Sequence, residues 1–288
     1  MNLCDKIRSG KFVVTSEIGP PKGTDVRPML EGAGLLKGRI DAINVTDQQS
    51  AVMRMGSLAA SRLLIDDGHD VVYQITCRDR NRIALQSDLL SAYALGIRNV
   101  LALTGDYPSF GDHPQAKPVY DLDSVQLLGA INALGQGRDM MGNELKGSAP
   151  FCFGAVVNPG ADPIEPEIIR MEKKVAAGAR FFQTQAVYDV GGFRMFREMT
   201  SHLDAFVLAG VMLLKSAKMA RYVNEHVAGV HVPDEIIDRM EKAPDKTAAS
   251  VDITVNIIKE LKGLCHGIHI MPIGWDKVVP RVLDEAGL

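Results

Sequence analysis

Short apolar runs rich in β-branched residues recur along this chain, and each gives way to a longer stretch with helical spacing. The runs are Lys11–Ile18, Ile40–Thr46, Asp70–Thr76, Arg98–Thr104, Phe151–Val157, Arg180–Gln185, Ala205–Val211 and Gly267–Met271. Strand patterns separated by helical patterns build parallel sheet, because each crossover must span the sheet before the next strand begins. Eight such units in 288 residues predict a closed (β/α)8 barrel, with one domain over 1–288. A doubly wound open sheet is the alternative. If it held a dinucleotide in the usual way it would need a GxGxxG loop after an early strand, and the sequence has none.

The helical stretches carry their own punctuation. Arg80–Gly96 places Ile83, Leu85, Leu89, Leu90 and Leu95 on a broad stripe and stops at a glycine. Pro163–Ala179 opens on acidic residues and closes on lysines, which suits the helix dipole. The longest non-periodic piece, Tyr107–Val119, is long enough for a functional or mobile loop.

Composition narrows the function classes. Net charge is −3 and the pI about 6.2, which gives no electrostatic footprint for nucleic acid. No apolar run approaches the ~20 residues of a membrane span, and the first residues carry charges where a signal peptide needs an apolar core. The expectation is a cytoplasmic protein. Cys4, Cys77, Cys152 and Cys265 are far apart and form no CxxC pair, so neither a disulfide framework nor a cysteine-held metal is expected.

Barrel enzymes work at the carboxyl ends of their strands. The residues there are Glu17; Thr46, Asp47 and Gln48; Thr76, Cys77 and Arg78; Thr104, Gly105 and Asp106; Asn158; Thr184 and Gln185; Lys215 and Ser216. Caps and turns explain many polar strand ends. Glu17 precedes two prolines rather than a helix, so it is no cap. Glu17 and Asp106, after the first and fourth strands, would face each other with room for a flat ligand between. A carboxyl beside an apolar ring acquires a raised pKa and serves as a general acid. The arginines of "CRDRNR" form either a solvated helix face or a phosphate contact at a helix start.

"SEIGPPKG", "NVTDQQS", "ITCRDRNR", "LGIRNVLALTGDYP", "KKVAAGARFFQTQ" and "LAGVMLLKS" occur in that order. Together they resemble methylenetetrahydrofolate reductases, from about Lys11 to Lys215. The resemblance implies reduction of 5,10-methylenetetrahydrofolate to 5-methyltetrahydrofolate by a bound flavin, FAD or alternatively FMN. It implies Glu17 as general acid, Asp106 beside pterin and flavin as the group that stabilises a cationic iminium, and Gln185 as a pterin hydrogen-bonding residue. Flavin contacts carry over to Thr46, Thr104, Gly105, Asp106, Tyr120 and Asp121, and to Lys173 and Lys174 as diphosphate partners.

The chain also departs from the family pattern. It has Thr104 where an Arg often precedes "GD", and Gln74 where a His is frequent. Val157-Asn158-Pro159-Gly160 replaces a Tyr-Pro-Glu-x-His-Pro stretch. Ala186 and Val187 follow "TQ" where aromatics usually stack on a nicotinamide donor. With "GDHPQAKPVYDLDS" and the tail "GIHIMPIGWDKVVPRVLDEAGL", this is similar to a bacterial subgroup supplied with electrons by a partner subunit bearing iron–sulfur or zinc sites. The chain itself is expected to hold no metal, and a homo-oligomer is possible. Two alternatives stand beside this: a barrel lyase or aldolase using Lys215, and a non-catalytic or flavin-independent barrel subunit of a larger redox complex.

Overall fold

In the computed structural model, which describes residues 1–227 and 229–288, a short helix precedes the first strand. The order is α1 (Leu3–Arg8), β1 (Val13–Ile18), α2 (Arg27–Gly34), β2 (Ala42–Val45), α3 (Ser57–Asp66), β3 (Val71–Thr76), α4 (Arg82–Ala94), β4 (Asn99–Leu103) and α5 (Ser124–Gly135). Then follow β5 (Cys152–Val157), α6 (Glu165–Ala176), β6 (Phe181–Ala186), α7 (Val190–Met199), β7 (Phe206–Met212), α8 (Ala217–His226), α9 (Asp234–Lys242), α10 (Lys246–Leu261), β8 (Gly267–Met271) and α11 (Val279–Ala286). The strands pair in parallel in sequence order, and β8 closes on β1 through Val13↔Gly267 to Ser16↔Ile270. The expected (β/α)8 barrel is therefore what these residues form, with strand boundaries within two residues of those read from the pattern.

Alternation along each strand sorts side chains between two packed regions. Val14, Ile43, Tyr73, Val100 and Phe182 pack outward against the helices. Val13, Ala42, Val72, Leu101, Phe181 and Leu208 pack inward, and Leu3, Cys4 and Ile7 of α1 plug the floor beneath them. Two residues further along the same faces the interior turns polar, with Thr15, Asn44, Gln183 and His269 all buried. Glu17 and Gln185 follow at the mouth.

Two expectations need correction. Cys4 and Cys152 form a disulfide joining α1 to β5 across 148 residues of sequence, with Cα atoms 5.8 Å apart. Sequence spacing gave no hint of it, because folding alone brings the plug helix to the start of β5. Cys77 and Cys265 are free. The stripe on α4 is also narrower than expected. Leu85, Leu89 and Ala92 are buried, whereas Ile83 is 75% exposed and Leu90 and Leu95 are 39% and 38% exposed. The glycine stop does hold, since Gly96 takes the left-handed conformation that ends the helix.

Candidate active site

Glu17 sits where β1 ends. Its side chain is only 12% exposed, and its Oε2 lies 3.9 Å from Nε2 of His269 on β8. Gln49 reaches it from the β2–α3 loop, with Nε2 3.5 Å from Oε1. Burial pushes the Glu17 carboxyl up to about 7, the Gln49 contact opposes this, and the negative charge of Asp276 adds to it. His269 is driven the other way, down to about 4, by burial. Between about pH 4 and pH 7 a protonated acid therefore faces a neutral imidazole, the arrangement of lowest charge for a buried pair.

The cleft above Glu17 has a volume of about 1010 Å³. Seven of the expected site residues line it: Glu17, Thr104, Gly105, Asp106, Lys173, Lys174 and Gln185. Leu101, Leu103, Val156 and Met271 give it an apolar side. Gln185 is aimed into it by an irregularity in the β6–β7 pairing between Gln183 and Ala186. Thr184 spans that irregularity, accepting from Gly210 N at 2.8 Å and donating to Gln185 O at 2.7 Å. Bulges next to sites re-aim side chains in this way.

Asp106 is at the mouth but is not free. Its carboxylate accepts from the backbone N–H of Ser50 at 3.1 Å. The segment carrying Ser50 has left-handed backbone at Gln48, Ser50 and Ala51. Arg78 holds the same segment from below, with its guanidinium 3.4 Å from Gln48 O and 3.3 Å from Asp106 O. The β2–α3 loop therefore links the two carboxylates that the strand pattern sets on opposite sides, through Gln49 to Glu17 and through Ser50 to Asp106.

Other expected residues fall differently. Thr46 is buried and does not line the cleft, and its hydroxyl has no hydrogen-bond partner among the described residues. Tyr120 donates to Gly105 O at 3.1 Å and so props the Gly105 turn rather than lining the cleft. Asp121 forms a bidentate pair with Arg82, with contacts of 2.9 Å from Nε and from the second guanidinium nitrogen, and is held down to about 2. Lys174 is buried, and its Nζ donates to Val156 O at 2.6 Å. Burial lowers its pKa. Lys173 is exposed on the cleft wall and makes no ion pair among the described residues.

The "CRDRNR" arginines are engaged in ion pairs with carboxylates of this chain. Arg78 pairs with Asp79, Arg80 with Asp47 and Asp88, and Arg82 with Asp121. The Asp47 side chain is fully buried and also accepts from Thr76 N and Oγ1, both at 2.9 Å, which ties the ends of β2 and β3 together at the edge of the cleft. Lys215 lies over the Trp275 ring at 5.8 Å, outside the main cleft. No group of three or more His, Cys, Asp or Glu suited to a metal ion occurs among the described residues.

Sequence reasoning missed Thr15, Asn44, Gln183 and His269, which lie inside strands rather than at their ends. The available signal was a polar residue at an inward position of an otherwise apolar run, where burial demands a partner.

A family model described as methylenetetrahydrofolate reductase matches residues 2–287. The chain belongs to the methylenetetrahydrofolate reductase family. Among curated relatives, Methylenetetrahydrofolate reductase 2 of Schizosaccharomyces pombe is 25% identical over 321 aligned positions, covering 100% of this chain and 47% of that protein. The 5,10-methylenetetrahydrofolate reductase of Pectobacterium carotovorum is 22% identical, over 88% of this chain and 82% of the relative. The chain thus spans about half of the fission-yeast protein and most of the bacterial one. Among solved structures, a Clostridium thermocellum protein described as binding two copies of 5-methyl-5,6,7,8-tetrahydrofolic acid superposes with a TM-score of 0.64 at 15% identity, over 99% of this chain and 97% of that one. A 2,3-dimethylmalate lyase superposes at 0.54 with 12% identity, over 99% of this chain and 83% of its own. At such identities both show the shared barrel fold.

Proposed function

We propose that this chain, acting as one barrel domain over 1–288, reduces 5,10-methylenetetrahydrofolate to 5-methyltetrahydrofolate, with Glu17 as general acid. The observation that carries this reading is the Glu17 carboxyl, poised near 7 at the floor of the cleft in the family's Glu-x-x-Pro-Pro position. A general acid is most effective when its pKa lies near the working pH. The family membership and the folate ligand of the Clostridium barrel support the substrate class.

The residues fit a flat, phosphate-bearing cofactor such as FAD or FMN. Thr104, Gly105 and Asp106 line the cleft wall, and Lys173 offers an ammonium that is unpaired among the described residues for phosphate. A bound reduced flavin would supply the hydride. The chain's own residues do the rest. Glu17 gives its proton to a folate nitrogen, which opens the five-membered ring and leaves an iminium cation. The Asp106 carboxylate lies across the cleft as the negative charge that favours this cation. Gln185, turned into the cleft by the β6 irregularity, offers donor and acceptor to the pterin.

The electron source in this reading is a partner subunit. Ala186 and Val187 are both buried, and the next residue, Tyr188, turns inward to donate to Met212 O at 3.1 Å. No aromatic of this segment is then available to stack on a nicotinamide, which supports delivery by another route. The lyase reading is weaker, since Lys215 stands apart from the cleft.

The test is an anaerobic visible spectrum of the purified protein before and after 5-methyltetrahydrofolate. A flavin spectrum that bleaches is the expected result, and Glu17→Gln should keep the flavin but abolish the bleaching. A protein that takes up neither FAD nor FMN would sink the flavin mechanism. Rapid NADH oxidation by the isolated chain with its folate substrate would sink the partner.

A further inference from the structure

Four buried side chains on four strands form one hydrogen-bond chain beneath Glu17. Asn44 on β2 and Gln183 on β6 make a reciprocal amide pair: Asn44 Nδ2 donates to Gln183 Oε1 at 2.7 Å, and Gln183 Nε2 donates to Asn44 Oδ1 at 3.0 Å. The second Nε2 hydrogen of Gln183 goes to Thr15 Oγ1 on β1 at 3.2 Å. Thr15 Oγ1 lies 3.0 Å from His269 Nδ1 on β8 and 3.4 Å from Ile268 O. The far nitrogen of the ring, Nε2, faces Glu17 Oε2 at 3.9 Å.

The donor count along this chain has a consequence at the imidazole. Both Gln183 hydrogens are committed, so Thr15 Oγ1 is already an acceptor. Its single hydrogen has two places to go, Nδ1 at 3.0 Å or Ile268 O at 3.4 Å, and the shorter contact favours Nδ1. A neutral ring that accepts at Nδ1 carries its hydrogen at Nε2, towards Glu17.

We propose that His269 is a positioning residue for Glu17, fixed as the Nε2–H tautomer by the Asn44–Gln183–Thr15 relay, so that it steadies the carboxylate left after proton transfer without taking that proton itself. An imidazole with a lone pair facing the carboxyl could instead draw the proton away from the substrate. The barrel interior discourages this twice over, because burial holds His269 down to about 4 and, among the described residues, no carboxylate other than Glu17 lies within ion-pair distance of it. The groups that act on Glu17 directly are His269 from β8, Gln49 from the β2–α3 loop and Asp276 from the turn after β8, and Arg54 borders the same pocket.

The proposal rests on Glu17 being the proton donor, but its test does not need turnover. Imidazole 15N NMR of the protein as purified, with the His269 signals assigned by their loss in His269→Gln, reads the tautomer. Carboxyl 13C NMR, assigned by Glu17→Gln, reads the Glu17 titration. The expected results are an Nε2–H imidazole in the wild type and a Glu17 midpoint that rises by about one pH unit in Thr15→Val and in His269→Leu, with Thr15→Ser restoring it. An Nδ1–H imidazole in the wild type would overturn the proposal, even if Thr15→Val fails to fold. So would a Glu17 midpoint indifferent to both substitutions. Failure of the folate reading would appear only in the flavin spectrum and would leave these signals as they are.

Discussion

A carboxyl and an imidazole buried 3.9 Å apart pull stability in opposite directions as pH changes. Glu17 has its folded pKa raised to about 7 from an ordinary 4.5, so between those values the native state binds more protons than the unfolded chain and stability falls as pH rises. His269 has its folded pKa lowered to about 4 from 6.5, so there the native state binds fewer protons and stability falls as pH drops. Over the shared interval the two slopes oppose each other. Glu17→Gln should therefore expose the His269 slope, with stability rising with pH from about 4 to 6.5. It should also remove the cost of ionising a buried acid, making the variant about 3 kcal/mol more stable than wild type near pH 8. Urea unfolding across the pH range measures both. A variant no more stable than wild type at the alkaline end would mean that the carboxylate is well solvated. Gain of stability with loss of chemistry is the pattern expected of a strained functional residue.

At the scale of elements, the strand ends were readable because β-branched runs and the prolines after Glu17 mark them sharply. What lies inside the strands was not readable as a group. Thr15, Asn44, Gln183 and His269 are scattered over the sequence, and only barrel closure makes β1 a neighbour of β8 and sets β6 across from β2. The "CRDRNR" segment could not be resolved either way from sequence, since the same basic residues serve as phosphate ligands or as internal ion pairs, and the choice depends on Asp47, Asp88 and Asp121 arriving from elsewhere. Gly105 shows how tightly the turn after β4 is built. Its φ is 92°, and an added Cβ would stand 3.0 Å from Thr76 Cβ and 3.1 Å from Arg78 Cβ. Gly105→Ala should cost about 2 kcal/mol through backbone strain alone. It should also move Asp106 off Ser50 and, on the proposed flavin reading, weaken retention of added FAD or FMN, read by unfolding and by the flavin absorbance left after dialysis. Unchanged stability would show that the turn tolerates an L-residue by shifting Thr76.

For the whole molecule, the two ends of the barrel divide the work. The cleft-lining groups gather at the carboxyl ends of the strands, while the floor is closed by α1, whose Leu3, Cys4 and Ile7 pack under the inward residues. The Leu3 N–H donates to Asn99 Oδ1 at 2.7 Å, and the Cys4–Cys152 disulfide ties the plug to β5. Closing a loop of 148 residues restricts the unfolded chain, by up to about 5 kcal/mol in the chain-entropy model. The cleft lies at the opposite end, and neither cysteine lines it. Cys4→Ser, or reduction in dithiothreitol, should therefore lower stability by about 2–5 kcal/mol while leaving the Glu17 titration and ligand binding near wild type. Thermal melts with and without reductant, paired with the carboxyl titration, separate the two effects. A shift of the Glu17 midpoint on reduction would mean that the plug is mechanically coupled to the mouth through the polar layer between them. An unchanged midpoint with a lowered melting temperature would place stability at one end of the barrel and chemistry at the other.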